Sequence, residues 1–215
     1  MTREPQEDHP SAAPEPVGVG PHPLPWPDDP RLDPELLRDG DRRNVVDRYR
    51  YWTLEAIVAE LDTRRHEFAV AIENWRHDLN IGTVVRTANA FLAHEVVIVG
   101  NRRWNRRGAM VTDRYQHIRH VATVAELASY ASDAGYSMIA IDNLPGAVPI
   151  ETFELPRRVV LVFGQEGTGL SAELRAEAHV VCSIAQYGST RSINAGVAAG
   201  IAMHAWIRRH AMPPG

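Results

Sequence analysis

Residues 159–171 read VVLVFGQEGTGLS, an unbroken apolar run that ends in a loop holding three glycines. Residues 182–200 show the same arrangement as CSIAQYGSTRSINAGVAAG. Short apolar runs without alternation fit strands buried on both faces, as in a parallel sheet covered by helices. Glycine-dense loops at the C-terminal ends of such strands are where open α/β sheets place ligands, because a residue without Cβ lets backbone amides come close to a bound group. The glycines of the first loop, Gly164, Gly167 and Gly169, are spaced G-x-x-G-x-G. That spacing differs from the dinucleotide fingerprint G-x-G-x-x-G, and no lysine follows to make a P-loop.

Outward from these loops, apolar runs predict further strands over residues 68–72, 96–99, 137–141 and 180–184, beside the one over 159–163. Apolar residues at helical spacing predict helices over 51–65, 79–93, 124–134, 171–178 and 192–209. Strands alternating with helices define an α/β fold, a mostly parallel sheet flanked by helices. In the last helix, Ala195, Gly196, Ala198, Ala199, Gly200 and Ala202 form a run of small residues. It predicts close packing of that helix against other backbone.

Ten of the fifteen prolines lie in the first 41 residues, with ten acidic and three basic side chains. Such a stretch buries too little apolar surface to offset its ordering entropy, so residues 1–41 are expected to form a disordered, Pro-rich acidic tail. A basic patch, Arg42, Arg43, Arg48 and Arg50, opens an N-terminal helical extension over residues 42–66, and the main domain covers 67–215. The whole chain carries a net charge of −4, yet residues 42–215 hold 20 basic against 17 acidic side chains. This mild surplus permits a nucleic-acid partner. All 23 basic residues are arginine, whose planar fork suits phosphate. A single cysteine, Cys182, excludes a disulfide within the chain and any multi-cysteine zinc site. No secretory leader pattern and no apolar run of about 18 residues occur, so a cytoplasmic location without a membrane partner is expected.

Several polar residues admit two readings. Asn80 stands at a helix entrance and Arg86 one and a half turns inside it. They are a cap and a solvated side chain, or a site pair, with Arg86 needing a cleft partner because Val84, Val85, Ala88 and Ala90 surround it. Glu166 is a turn carboxylate in water or a site group, and Ser192 and Asn194 are helix caps or site residues. Between Asn101 and His120 lie six arginines, among them Arg102, Arg103, Arg106, Arg107 and Arg114. The segment is a solvated loop or a phosphate-tracking RNA-binding surface, with Trp104 and Tyr115 available to stack on bases. His117 and His120 lie three apart with no further ligands near them in sequence, so no metal is assigned. A G-x-S-x-G nucleophile elbow is absent, which argues against a serine hydrolase.

Together these segments resemble the three sequence motifs of the SpoU/TrmH family of RNA 2′-O-ribose methyltransferases, within the SPOUT superfamily. Asn80 with Arg86 resembles the first motif, residues 163–170 the second and residues 184–200 the third, over a span from residue 69 to 209. The resemblance implies S-adenosyl-L-methionine as methyl donor, a C-terminal trefoil knot, which is a rare exception to unknotted topology, and a homodimer whose site is completed across the interface. It assigns Ile141, Gly164, Ile184 and Ile193 to the donor, mostly through backbone. Arg86 takes the catalytic place, with Asn80, Glu166, Ser192 and Asn194 as the accompanying polar set. Arginine keeps its proton up to a pKa above about 12, so Arg86 is expected to stabilise a developing alkoxide rather than remove a proton. The helix before the first motif and residues 64–82 look most like tRNA guanosine 2′-O-methyltransferases. The alternatives are an rRNA 2′-O-methyltransferase or a non-catalytic RNA-binding dimer of the same fold.

Overall fold

The structure is a computed structural model of the 215-residue chain and describes residues 18–74, 80–165 and 167–212. The chain divides into two compact units, Met1–Ile57 and Val58–Gly215.

In the first unit the structure differs from the expected tail. Over residues 18–57 the chain is ordered, with a short helix α1 (Pro34–Asp39) that Asp33 caps by accepting from the backbone N–H of Glu35 at 2.8 Å. The organising group is Asp41, whose side chain is fully buried. It accepts from Arg43 Nη2 at 2.7 Å and from the N–H of Tyr51 at 3.0 Å. Removing either partner would leave a buried carboxylate short of donors, which is strongly destabilising. Composition missed this because a few well-placed hydrogen bonds, not apolar area, order the segment. The boundaries expected at residues 41 and 66 are replaced by one at residue 57, inside α2 (Leu54–Asp62).

The second unit is a seven-stranded sheet, every neighbouring pair parallel. Its strands are β1 (Phe68–Asn74), β2 (Val96–Gly100), β3 (Ile118–Val121), β4 (Ser137–Ile141), β5 (Val148–Pro149), β6 (Val159–Phe163) and β7 (Val180–Ser183), in the order β3-β2-β1-β6-β4-β7-β5. Helices α3 (Asn80–Ala90) and α6 (Ala195–His210) cover one face, and α4 (Val124–Asp133) and α5 (Ala172–Glu177) cover the other. Strand β1 shows why its apolar run is continuous. Phe68, Val70 and Ile72 join the core under α3 and α6, while Ala69 and Ala71 join the core under α4 and α5.

The five expected strands all form within one or two residues of their expected bounds. The two unforeseen strands lie at the edges of the sheet, where β3 alternates Ile118 and His120 with Arg119 and β5 is only two residues long. The small-residue run of α6 packs as expected. A Cβ placed on Gly196 would come within 3.0 Å of Thr83 Cγ2 on α3. Farther along α6, Trp206 is buried and its indole N–H donates to the carbonyls of Pro156 and Arg157 at 3.2 and 3.1 Å. Among the described residues no helix is long and apolar enough to cross a membrane.

Candidate functional site

Beyond the C-terminal ends of β4, β6 and β7 lies a cavity of about 490 Å³, within the roughly 300–1,000 Å³ usual for small-molecule sites. Both glycine loops wall it. Ile141, Gly164, Ile184 and Ile193 line it, and so do Ser192 and Asn194. Glu166 lies outside the described residues. Asn80 and Arg86 are not part of the lining.

The first loop needs glycine for its own backbone before any ligand is considered. It folds back so that Gln165 and Gly169 exchange backbone hydrogen bonds of 3.2 and 3.0 Å. A Cβ on Gly164 would then stand 2.1 Å from the carbonyl carbon of Gly169 and 2.3 Å from the nitrogen of Leu170. The loop is also tied from outside. Asp142 Oδ2 accepts from the N–H of Leu170 at 3.1 Å, and the fully buried Glu73, near the end of β1, accepts from the N–H of Ser171 at 2.9 Å. The next residue, Asn143, donates from Nδ2 to the carbonyl of Arg191 in the second loop at 3.1 Å. One dipeptide after β4 therefore holds both walls. Glu73, Asp142 and Asn143 were not foreseen, because a polar residue following a strand has the same sequence signature as an ordinary turn.

The two readings of Asn194 turn out to be compatible. Its Oδ1 caps α6, accepting from the N–H groups of Gly196 and Val197 at 2.9 and 3.3 Å. Its Nδ2 meanwhile donates to Asn80 Oδ1 at 2.9 Å, 114 positions away in sequence. The first and third motifs thus meet at the cavity rim. Of the two readings of Arg86, its own chain shows the solvated one: it is exposed and, among the described residues, has no hydrogen bond or ion pair. The cause is the geometry of α3. Val84, Val85 and Ala88 turn into the core, so Thr83, Arg86 and Ala90 form the outward stripe.

Gln186, one of the residues lining the cavity, carries an Oε1 shielded from solvent and with no partner among the described residues. An unsatisfied buried acceptor costs about 1–3 kcal/mol, which a donor on a ligand would recover. Behind the wall, burial, with the charge of Glu151 adding to it, pushes the Cys182 thiol up to about 11. It is therefore a packing residue and a poor nucleophile at neutral pH.

The arginine-rich segment runs at the same edge of the sheet, following β2 as two 3₁₀ turns, Arg106–Ala109 and Thr112–Arg114. It docks on the first turn of α3 by backbone contact. A Cβ on Gly82 would lie 2.7 Å from the nitrogen of Ala109, and one on Gly108 would lie 3.0 Å from the nitrogen of Thr83. Arg102, Arg103, Arg106, Arg107 and Arg114 are all exposed. The only ion pair among these five, within the described residues, is Arg106 with Asp113 at 3.5 Å. Of the two aromatic residues offered for stacking on bases, Tyr115 is closed off and Trp104 is half-buried with Arg106 over its ring at 5.6 Å. Tyr115 is only 8% exposed, its carbonyl held by Arg65 Nη2 at 2.9 Å, and Trp104 packs against the core. Met110 and Val111 face outward instead, 58% and 55% exposed, with φ of 48° and 69°. Left-handed backbone costs about 1–2 kcal/mol per non-glycine residue, and β-branched Val111 is an outlier there. His117 pairs with Asp62 at 2.8 Å and His120 with the carbonyl of Gly100 at 2.6 Å.

Residues 67–204 match the model of the SpoU rRNA Methylase family. An uncharacterized tRNA/rRNA methyltransferase of Mycolicibacterium smegmatis is 33% identical over 141 residues, covering 62% of this chain and 44% of its own length. Another, from Mycobacterium ulcerans, is 31% identical over 156 residues, covering 69% and 49%. The chain thus spans about half the length of the curated relatives it matches. Among solved structures, the AdoMet-bound rRNA methyltransferase from Sinorhizobium meliloti superposes with a TM-score of 0.61 at 28% identity, over 72% of this chain and 61% of that one. The A. aeolicus TrmH/SpoU tRNA modifying enzyme gives a TM-score of 0.64 over 73% and 81%, and at 22% identity it speaks for the fold alone.

Proposed function

We propose that this chain, which belongs to the SpoU rRNA Methylase family, transfers a methyl group from S-adenosyl-L-methionine to a ribose 2′-hydroxyl of RNA. The observation that carries this reading is how the cavity is built. Both glycine loops wall it, and Asn194 on its rim is bonded to Asn80 at the start of the helix that bears Arg86. The residues present suit the donor. Ile141, Phe163, Ile184 and Ile193 offer apolar walls to a purine ring and a thioether, and the orphaned oxygen of Gln186 suits an amino group. The S. meliloti relative, described as AdoMet bound, supports the same assignment.

When bound, S-adenosylmethionine supplies a methyl group on a sulfonium whose carbon–sulfur bond breaks as the carbon–oxygen bond forms, releasing a neutral thioether. The protein's task is alignment and charge. Asn194 and Asn80 fix the cavity rim against α3, which limits the positions the ribose can occupy. Arg86, permanently cationic, stabilises the oxygen as its proton passes to a phosphate of the substrate.

Arg86 does not line the cavity of its own chain, and this favours a homodimer in which Arg86 of one protomer reaches the cavity of the other. Val197 and Ile201, 53% and 39% exposed on α6 beside α3, favour the same assembly. Covering the part of each side chain still exposed contributes about 1 kcal/mol. The C-terminal trefoil knot belongs to this reading as well. We take a tRNA guanosine as the first acceptor to test. The second reading, an rRNA ribose, is favoured by the S. meliloti relative, which is named an rRNA methyltransferase.

Arg86→Ala tests the assignment. Methyl transfer should fall about 10²–10³-fold, while donor affinity by calorimetric titration stays within about twofold of the native protein. Native turnover by the variant removes Arg86 from the mechanism. Native protein that binds no donor favours the non-catalytic RNA-binding dimer.

A further inference from the structure

We propose that Met110 and Val111 form an apolar wedge that enters the base stack of an unpaired RNA loop, positioned by the arginines around it. This inference rests on the reading of RNA as substrate. Four observations carry it. First, the largest apolar side chains exposed in the segment are these two, since Trp104 and Tyr115 are already used in packing. Second, the backbone that presents them is strained. Both residues sit in left-handed conformations that Asn-Gly would adopt readily, and neither side chain is buried in return.

Third, the surroundings select the partner. Exposed Arg102, Arg103, Arg106, Arg107 and Arg114 flank the tip, and Asp113 alone among them is acidic. Two such faces repel each other, which disfavours a second copy of this chain, whereas a phosphate backbone is attracted. Apolar side chains inserted between bases are a recurrent way to unstack nucleic acid, and unpaired RNA loops offer the accessible bases. Fourth, the tip is rigidly referenced to the cavity. Gly108 rests on Gly82 and Thr83, Thr83 meets Gly196, and Asn80 bonds Asn194 at the rim. A nucleotide freed from its stack by the wedge would expose its ribose edge next to the methyl donor, as enzymes acting on single nucleotides generally require.

The test is the full-length double variant M110N/V111G, which keeps the turn and removes both apolar side chains. The probes are an unmodified RNA hairpin with 2-aminopurine in its loop and a fully paired RNA duplex of equal length. The native protein should prefer the hairpin and raise its 2-aminopurine emission severalfold. The variant should bind the hairpin about tenfold more weakly, without the rise in emission. The salt dependence of its affinity should be unchanged, since the arginines remain. Its thermal midpoint should not fall, and its affinity for S-adenosylmethionine should stay native. Equal hairpin affinity and equal emission overturn the wedge. Loss of a native dimer in light scattering also overturns it, by making the tip a contact between copies. Native protein that binds neither RNA overturns the RNA reading itself, a result distinct from a variant that matches a native protein which does bind.

Discussion

Around the cavity, polar side chains clamp the backbone: the N–H of Leu170 to Asp142, the N–H of Ser171 to Glu73, and the carbonyl of Arg191 to Asn143. In the loop from Asn101 to Tyr115, at the same edge of the sheet, five arginines and two apolar side chains face water. Side-chain clamps hold only the ends of this loop, Asn74 Nδ2 donating to the carbonyls of Asn101 and Arg103 at 2.7 and 2.8 Å and Arg65 Nη2 to that of Tyr115 at 2.9 Å, while Gly108 meets Gly82 of α3 backbone to backbone. The difference follows from what each region is proposed to meet. A small ligand of fixed shape is matched by backbone held still, and every clamp spent on that backbone lowers the cost of binding. A polymer of variable sequence and uniform charge is met by exposed cations, which stay solvated until it arrives.

The comparison breaks most visibly at Gly164. Gly164→Ala would drive a Cβ to 2.1 Å from the carbonyl carbon of Gly169, so the loop must open. Donor affinity should fall more than a hundredfold, about 3 kcal/mol, in calorimetric titration, with a lowered thermal midpoint. Retained affinity would mean that the clamped loop is not the donor site.

Gly82→Ala is the counterpart for the arginine loop, with a Cβ 2.7 Å from the nitrogen of Ala109. RNA affinity should weaken about tenfold, a change of about 1.4 kcal/mol, while donor affinity stays within twofold. Equal losses for both ligands would show that the two regions form one site. The smallest effect sharpens the picture of the cavity. Gln186→Met removes the orphaned acceptor, so the free protein should melt no lower than native. Donor affinity should weaken severalfold, about 1 kcal/mol. A higher affinity would show that Oε1 faces away from the donor.

The same contrast explains what was legible in the sequence. Buried strands such as 137–141 and 159–163 announce themselves because both faces demand apolar residues, and they formed where expected. Gly164, Ile184 and Ile193 were placed at the ligand by motif, and they line the cavity. The clamps were not legible. The bond from Asn194 to Asn80 and the one from Glu73 to Ser171 join residues 114 and 98 positions apart, and only the folded sheet creates them. The arginine loop misled in a different way. Aromatic residues beside arginines suggest stacking, but Tyr115 lies under the carbonyl clamp of Arg65, and the strained turn that exposes Met110 and Val111 has no signature without glycine or asparagine. Ordered residues 18–41 were hidden for a related reason, since one buried carboxylate, Asp41, organises a stretch that composition assigns to disorder.

The central claim, methyl transfer to a ribose hydroxyl, is tested most directly by incubating the protein with S-adenosylmethionine tritiated on the methyl group and unmodified tRNA or rRNA, followed by complete alkaline hydrolysis. A 2′-O-methyl group blocks cleavage of the adjacent phosphodiester. The account predicts tritium in alkali-resistant dinucleotides, formed about 10²–10³-fold more slowly by Arg86→Ala. Label released in mononucleotides, which places the methyl on a base, or no label in either RNA, would contradict it.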